Sequence, residues 1–229
     1  MKKILSYMWG WCFIIVCVVF SIKITAINPN FYIPKYEQMN LADDIGVSQS
    51  DLNKSINILM DYLSDSRDNI DSTITWYGKK QPMFNEKEKS HMVDVKALYQ
   101  NALKVSHVAL IVLALITLYF LLNEKKNWIG YISKGICRAA ISLMVALAFF
   151  GIWILTDFTS FWTWFHTIFF SNQLWLLDPA TDFMINMLPE TIFYKLVISC
   201  ALKVIVGIGI VSGFSVWYLV KKAPIGFEK

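Results

Sequence analysis

Three histidines, His91, His107 and His166, are the side chains best suited to move a proton near neutral pH. His91 stands in Ser90-His91-Met92-Val93-Asp94. Asp94, three residues on, shares its helical face. A carboxylate there orients an imidazole and selects its tautomer, as the third member of a triad does; alternatively the two form a solvated helix pair worth a few tenths of a kcal/mol. His166 lies among aromatics, in Phe165-His166-Thr167-Ile168-Phe169-Phe170. In such surroundings a histidine serves as a proton carrier or as a hydrogen-bonded packing residue, and both readings stand. Asp178-Pro179 reads as an N-cap followed by proline at the first helical position. Asp182 is then one turn further along the same face. Two like charges so placed repel mildly, so they need a partner, with Lys195, Lys203 or a histidine as the candidates. Lys203 interrupts an apolar run at a depth of ~10 Å and either faces a bundle interior with a partner or snorkels outward. Ser90, Ser160 and Ser171 lack the surroundings of a nucleophile. No phosphate-binding glycine loop, no dinucleotide fingerprint, no H-E-x-x-H and no G-x-S-x-G is present. No dedicated metal or cofactor site is therefore expected.

The elements that position these residues follow from composition. Of 229 residues, 56% are hydrophobic and only 17% charged, which excludes an ordinary soluble enzyme and a disordered chain. A net charge of +4 without a clustered patch excludes nucleic acid as a partner. Ile4–Ile22, Val105–Asn123 and Ala139–Thr156 are uncharged, and Leu196–Val220 is broken only by Lys203. Each is long enough to cross ~30 Å of hydrocarbon. The fold class is thus an α-helical integral membrane protein with four transmembrane helices, at about 4–24, 104–123, 138–156 and 196–220. The first is read as a permanent anchor, because its apolar core exceeds that of a signal peptide and no A-x-A pattern follows. Lys2 and Lys3, the 125–138 stretch, and Lys221, Lys222 and Lys229 are the basic flanks. They place both termini in the cytoplasm of a multi-pass cell-membrane protein, with 28–103 and 157–195 outside. Cys12, Cys17, Cys137 and Cys200 fall in or beside the spans, so no disulfide framework is expected. Gly209 and Gly213 form a G-x-x-x-G that reads as a helix-packing face.

The first outer segment is a mostly helical domain. Leu52, Ile56, Leu59 and Leu63 recur on one helical face, and Ser48 with Asp51 resembles a capping box. Asn69–Lys80 reads as a short hairpin or turn. Asn85 and Glu88 form a second capping box opening a helix toward span 2. The segment 157–195 is rich in Phe and Trp and reads as an aromatic, interfacial stretch, with Pro189-Glu190 opening the last helix.

Phe84-Asn85-Glu86 with Ser90-His91-Met92-x-Asp94-Val95-Lys96 resembles one motif of the lipoprotein intramolecular transacylase family of low-GC Gram-positive bacteria. Phe165-His166-x-x-Phe169-Phe170-x-Asn172, Trp175-x-Leu177-Asp178-Pro179-x-Thr181-Asp182 and Leu188-Pro189-Glu190 resemble the other. The four-span layout matches over nearly the whole chain. The resemblance implies an acyltransferase acting on diacylglyceryl-modified lipoproteins in membrane lipid. It moves the sn-2 chain onto the α-amine of the N-terminal cysteine to give the lyso form. His91 and His166 are the implied catalytic residues, with Asp94 orienting His91 and with Asn172 or the second imidazole stabilising an oxyanion. Which histidine is the base, and whether the acyl chain passes through a serine, stay open. An ester going to an amide is downhill, so no cofactor is required. The competing class is a non-enzymatic lipid-binding or accessory subunit.

Two expectations carry numbers. A histidine base predicts activity rising near pH ~6.5. His91 also precedes the span boundary at Lys104 by thirteen residues, ~20 Å along a straight helix. Either the helix breaks near Gln100-Asn101, or the outer segment folds over and the lipid is lifted to it.

Overall fold

A computed structural model describes residues 1–222; Lys229, counted above among the basic flanks, lies outside the described residues. The elements in chain order are α1 (Lys2–Thr25), α2 (Pro29–Gln38), α3 (Leu41–Asp44), α4 (Gln49–Leu63), β1 (Thr73–Trp76), β2 (Lys79–Pro82), α5 (Glu86–Asn123), α6 (Trp128–Thr156), α7 (Phe158–Phe169), α8 (Phe183–Met187) and α9 (Glu190–Lys222). Among them α1, α5, α6 and α9 are long and apolar enough to cross a membrane. The chain divides into two units. One holds Met1–Ser21, Leu103–Thr156 and the chain from Ala201 onward; the other holds Ile22–Ala102 and Asp157–Cys200.

The first unit is helical and presents much of its apolar surface outward, with Ile111, Val145, Phe149 and Phe214 exposed. Such a surface suits lipid, which is as apolar as the side chains themselves. Helices there associate by close packing rather than by expelling water. The close contact lies between α1 and α6: a Cβ added at Gly10 would meet the Gly135 carbonyl, and one added at Gly135 would overlap the Ser6 backbone. The G-x-x-x-G of α9 does not pack in this way, because a Cβ at Gly209 or Gly213 meets nothing within 4 Å. Spacing alone identifies a stripe of small residues, not the helix that fills it. At one end of this unit Lys2 pairs with Glu124, and Lys222 Nζ donates to the Lys126 carbonyl at 2.9 Å.

The second unit has a water-excluding core. Tyr36, Leu52, Ile56, Leu59, Ile74 and Phe84 are buried in it together with Phe183, Met187 and Ile192. Burying each large apolar side chain contributes about 1.5–3 kcal/mol. The 3.6-residue periodicity of α4 therefore reads through into packing, and Ser48 caps it by accepting from Asp51 N–H at 3.0 Å. β1 and β2 form an antiparallel hairpin in the register Thr73↔Pro82 to Trp76↔Lys79. Tyr77 and Gly78 turn it with φ of 46° and 76°, the positive pair that matches strand twist in a two-residue turn. α5 opens on the reciprocal capping box expected of it: Asn85 N–H donates to Glu88 Oε2 at 2.7 Å, and Glu88 N–H to Asn85 Oδ1 at 3.0 Å. The helix then runs without a break through Gln100 and Asn101.

One stretch gains an element and one local reading is corrected. The aromatic stretch after Asp157 contains a helix, α7, whose first turn is capped by Asp157 accepting from Ser160 N–H at 3.0 Å. Asp178-Pro179 opens no helix; residues 178–181 form a turn and α8 begins at Phe183. The Asp178 side chain accepts from Ala180 N–H at 2.9 Å instead, a local bond that competes with helix initiation.

Candidate active site

α5 and α7 each bring one histidine to a common point in the second unit. His91 is 5% exposed and His166 8%. Their ring centroids lie 6.2 Å apart with the planes at 36°. Phe170 meets both rings, at 5.1 Å from His91 and 5.6 Å from His166. Trp162 stands edge-on to His166 at 4.9 Å, and Trp175 stacks on it at 4.8 Å.

The His166 tautomer follows from one bond. Its Nδ1 lies 2.7 Å from the carbonyl of Trp162, one turn earlier in α7. A carbonyl only accepts, so Nδ1 carries the proton in the neutral ring and Nε2 holds the lone pair. Burial lowers the His166 pKa, and the Trp162 carbonyl offsets part of that. His91 is lowered further, to about 4, by burial first and by His166 second, with Asp94 opposing. Its Nδ1 is enclosed and has no hydrogen-bond partner. Both imidazoles are therefore neutral at physiological pH, which removes the basis for a rise in activity near pH ~6.5.

Asp94 does not bond to the His91 ring. Its Oδ2 accepts from Asn172 Nδ2 at 2.8 Å. The Asn172 carbonyl in turn accepts from Trp175 Nε1–H at 3.0 Å, and Trp175 is the ring stacked on His166. Asp94 and Asn172 thus brace the segment after α7 against α5, a positioning arrangement rather than a triad.

Asp182 is buried, but its partners are not those expected. Lys87 Nζ lies 3.4 Å from Oδ2, Asn85 Nδ2 donates at 2.8 Å and Asp178 N–H donates at 2.8 Å. Although burial pushes its carboxyl up, these donors hold it below its ordinary value. Asp178 itself is exposed. Glu88 lies beside this cluster and accepts from Met184 N–H at 2.6 Å. Burial raises its pKa, while the Met184 and Asn85 N–H groups oppose. The capping box of α5 thereby grips the start of α8. Lys203 and His107 fall in the other unit, with exposed side chains.

Both imidazoles line a cavity of about 270 Å³ whose other walls are apolar, among them Leu59, Leu63, Val95, Tyr99 and Phe165. One face of α5 forms a side of it from His91 down to Ala102, about 16 Å of helix at 1.5 Å per residue. No serine, threonine or cysteine lines it among the described residues. The same two rings border a second cavity of about 350 Å³, which adds Thr159, Thr163 and Glu190. Among the described residues no group of three or more His, Cys, Asp or Glu is placed to hold a metal ion. Sequence reasoning missed Trp162 and Glu190 as neighbours of the histidines. The signal for Trp162 was its position four residues before His166, readable only once 158–169 is taken as a helix.

Comparison with known proteins points to one family. The family model for the lipoprotein intramolecular transacylase Lit matches residues 7–194. Comparison with curated protein sequences returns no significant match. The in meso structure of the membrane-integral transacylase Lit from Bacillus cereus is similar with a TM-score of 0.73 at 20% identity, covering 97% of each chain. Two variants of that protein are also similar. One has a histidine replaced by alanine (TM-score 0.72, 19% identity, 97% and 94% coverage). The other has a histidine replaced by arginine (0.71, 20%, 97% and 93%). The likeness in structure covers 97% of this chain, and the family model covers both histidine segments. The chain therefore belongs to the lipoprotein intramolecular transacylase family of membrane-integral acyltransferases.

Proposed function

We propose that this protein moves the sn-2 acyl chain of a diacylglyceryl lipoprotein onto the α-amine of that lipoprotein's N-terminal cysteine, at the outer face of the cell membrane. The observation that carries the reading is the pair of neutral, buried imidazoles at the head of an apolar cavity. The amine nitrogen attacks the ester carbonyl carbon. His166 Nε2 takes the amine proton and returns it to the glycerol oxygen as the ester C–O bond breaks. An amide and a lyso-glyceryl thioether remain. Such proton transfer typically contributes ~10²–10⁴-fold. Because Nδ1 of His91 is enclosed, its chemistry runs through Nε2, whose N–H is assigned to the developing oxyanion. Donor and acceptor share one molecule, and holding them in register supplies up to ~7–11 kcal/mol. That no serine, threonine or cysteine lines the apolar cavity among the described residues favours direct transfer over a covalent acyl-enzyme.

The unbroken α5 keeps His91 above the span boundary, so the ester has to rise to it. The apolar strip from Ala102 to His91 is the path along which an acyl chain leaves the bilayer while staying out of water. The cytoplasmic end is assigned to the end of the helical unit where Lys2, Lys126 and Lys222 gather.

The test is mass spectrometry of a lipoprotein's N-terminal peptide from cells carrying the wild type, His91→Ala or His166→Ala at matched membrane levels. Each variant is expected to lose at least ~10²-fold of the lyso product. The double variant is expected to be no worse than the worse single one, since residues acting as a unit are not additive. Near-normal product from either single variant removes that residue from the mechanism. Equal product without the chain overturns the function.

A further inference from the structure

The two histidines form a wall shared by two cavities of different chemistry. The apolar cavity has no charged side chain in its lining. The second has one carboxylate, Glu190, at the first position of α9, with the rings of Trp162 and Trp175 beside the imidazoles. Thr159, on the first turn of α7, donates its hydroxyl to Glu190 Oε1 at 2.8 Å and Oε2 at 2.9 Å. This fixes the carboxylate from one side. No salt bridge to Glu190 is found among the described residues. A fixed carboxylate without a cation among the described residues, in a cavity bordered by both imidazoles, is a receptor for a compact cation, with which it forms charge-assisted hydrogen bonds.

We propose that this second cavity is the subsite for a primary ammonium, the free α-amine of the substrate's N-terminal residue, with Glu190 as its anionic anchor and Thr159 as the residue that positions the carboxylate. The proposal rests on the transacylase reading and divides the substrate between the two cavities, acyl chain in one and amino terminus in the other, with the imidazoles at the junction. A free α-amine has a pKa of ~7.7–8 and arrives mostly protonated at neutral pH. An anion holds that proton on, so Glu190 favours binding; the ammonium proton is then released to solvent beside this exposed carboxylate, which leaves a neutral imidazole free to take the second proton during attack and return it to the glycerol oxygen. The same subsite rejects the product, whose nitrogen has become an uncharged amide. Product release is thereby built into recognition.

The experiment uses the full chain, purified in detergent, and a synthetic diacylglyceryl-cysteine peptide with a free amino terminus. Glu190→Gln is expected to raise KM about tenfold or more, with kcat changed much less, because a charge-assisted contact made before the reaction is lost. Glu190→Asp is expected to recover part of the affinity. Thr159→Val is expected to raise KM by a smaller factor. The N-acetylated peptide, which cannot react, provides a second readout. As an inhibitor of the wild type it should bind more weakly than the free-amine peptide, and Glu190→Gln should abolish that preference. Because Glu190 is exposed, the glutamine variant should fold normally. Unchanged KM and retained preference for the free amine in Glu190→Gln, alongside a wild type that converts the peptide, overturn the subsite and leave the transacylase reading intact. A wild type that does not convert the peptide overturns both.

Discussion

His91 and His166 owe their neutrality to the same cause, burial among rings, but with different consequences. In His166 the Trp162 carbonyl adds a tautomer choice, so the lone pair is always at Nε2. In His91 the nearby His166 and the apolar walls bring the pKa to about 4. The pH–rate profile of purified enzyme should therefore show no inflection near 6.5. In kcat/KM it should rise once, through the free substrate amine near ~8. A step near 6.5 would mean that one ring titrates as if exposed. Stability follows the opposite limb. A histidine whose folded pKa lies below its unfolded value stabilises the fold above about pH 6.5, and the contribution is lost as pH falls to about 4, about 3 kcal/mol in all. Thermal unfolding in detergent should show a falling Tm across that window, and His91→Asn should flatten the fall.

At the scale of elements, the close approach of α1 to α6 rests on two residues without a Cβ. Gly135→Ala inserts a methyl into the Ser6 backbone and Gly10→Ala inserts one against the Gly135 carbonyl. Overpacking of this kind costs about 1–3 kcal/mol. Gly209→Ala and Gly213→Ala meet open space and should be neutral or slightly stabilising, since alanine is the better helix former by about 0.5–1 kcal/mol. Melting temperatures of the four variants in one detergent decide the matter. A drop for the α9 pair and none for the α1–α6 pair would reverse the assignment. The capping box of α5 operates at this scale too. Glu88 satisfies Asn85 N–H and Met184 N–H at once, so one side chain both starts the helix that bears His91 and anchors α8.

At the scale of the whole molecule, the proposed topology sets both termini and the turn after α5 inside, and the two segments that make up the second unit outside. In a chain whose four native cysteines are replaced by serine, Asp65→Cys should react with an impermeant maleimide in intact cells. The Asp65 side chain is 71% exposed, so access is not limited by burial. Lys125→Cys should react only after the cells are opened. Labelling of Lys125→Cys in intact cells with protection of Asp65→Cys would invert the topology and move the histidine pair to the cytoplasm.

The sequence by itself determined what depends on neighbours along the chain. Uncharged runs of 18 or 19 residues mark spans because hydrocarbon excludes charge wherever it meets it. Leu52, Ile56 and Leu59 mark the buried face of α4, and Asn85 and Glu88 mark a helix start, because periodicity and capping act within a turn or two. A short hairpin or turn within Asn69–Lys80 was legible for the same reason, though its turn at Tyr77-Gly78 and its second strand were placed only by the structure. Only the tertiary structure decided what depends on residues far apart. It set His91 against His166, 75 positions away, and enclosed one nitrogen of His91. It gave Asp182 the cation Lys87 instead of Lys195 or Lys203, and turned Asp94 toward Asn172 rather than toward the imidazole. It also made a helix of 158–169, where aromatic residues have weak intrinsic helix propensity and burial against Phe193 and Tyr194 supplies the difference. The division follows from range. Capping and periodicity leave their pattern in a short window of sequence, whereas the charge state of a buried imidazole and the partner of a buried carboxylate are set by whatever packs against them.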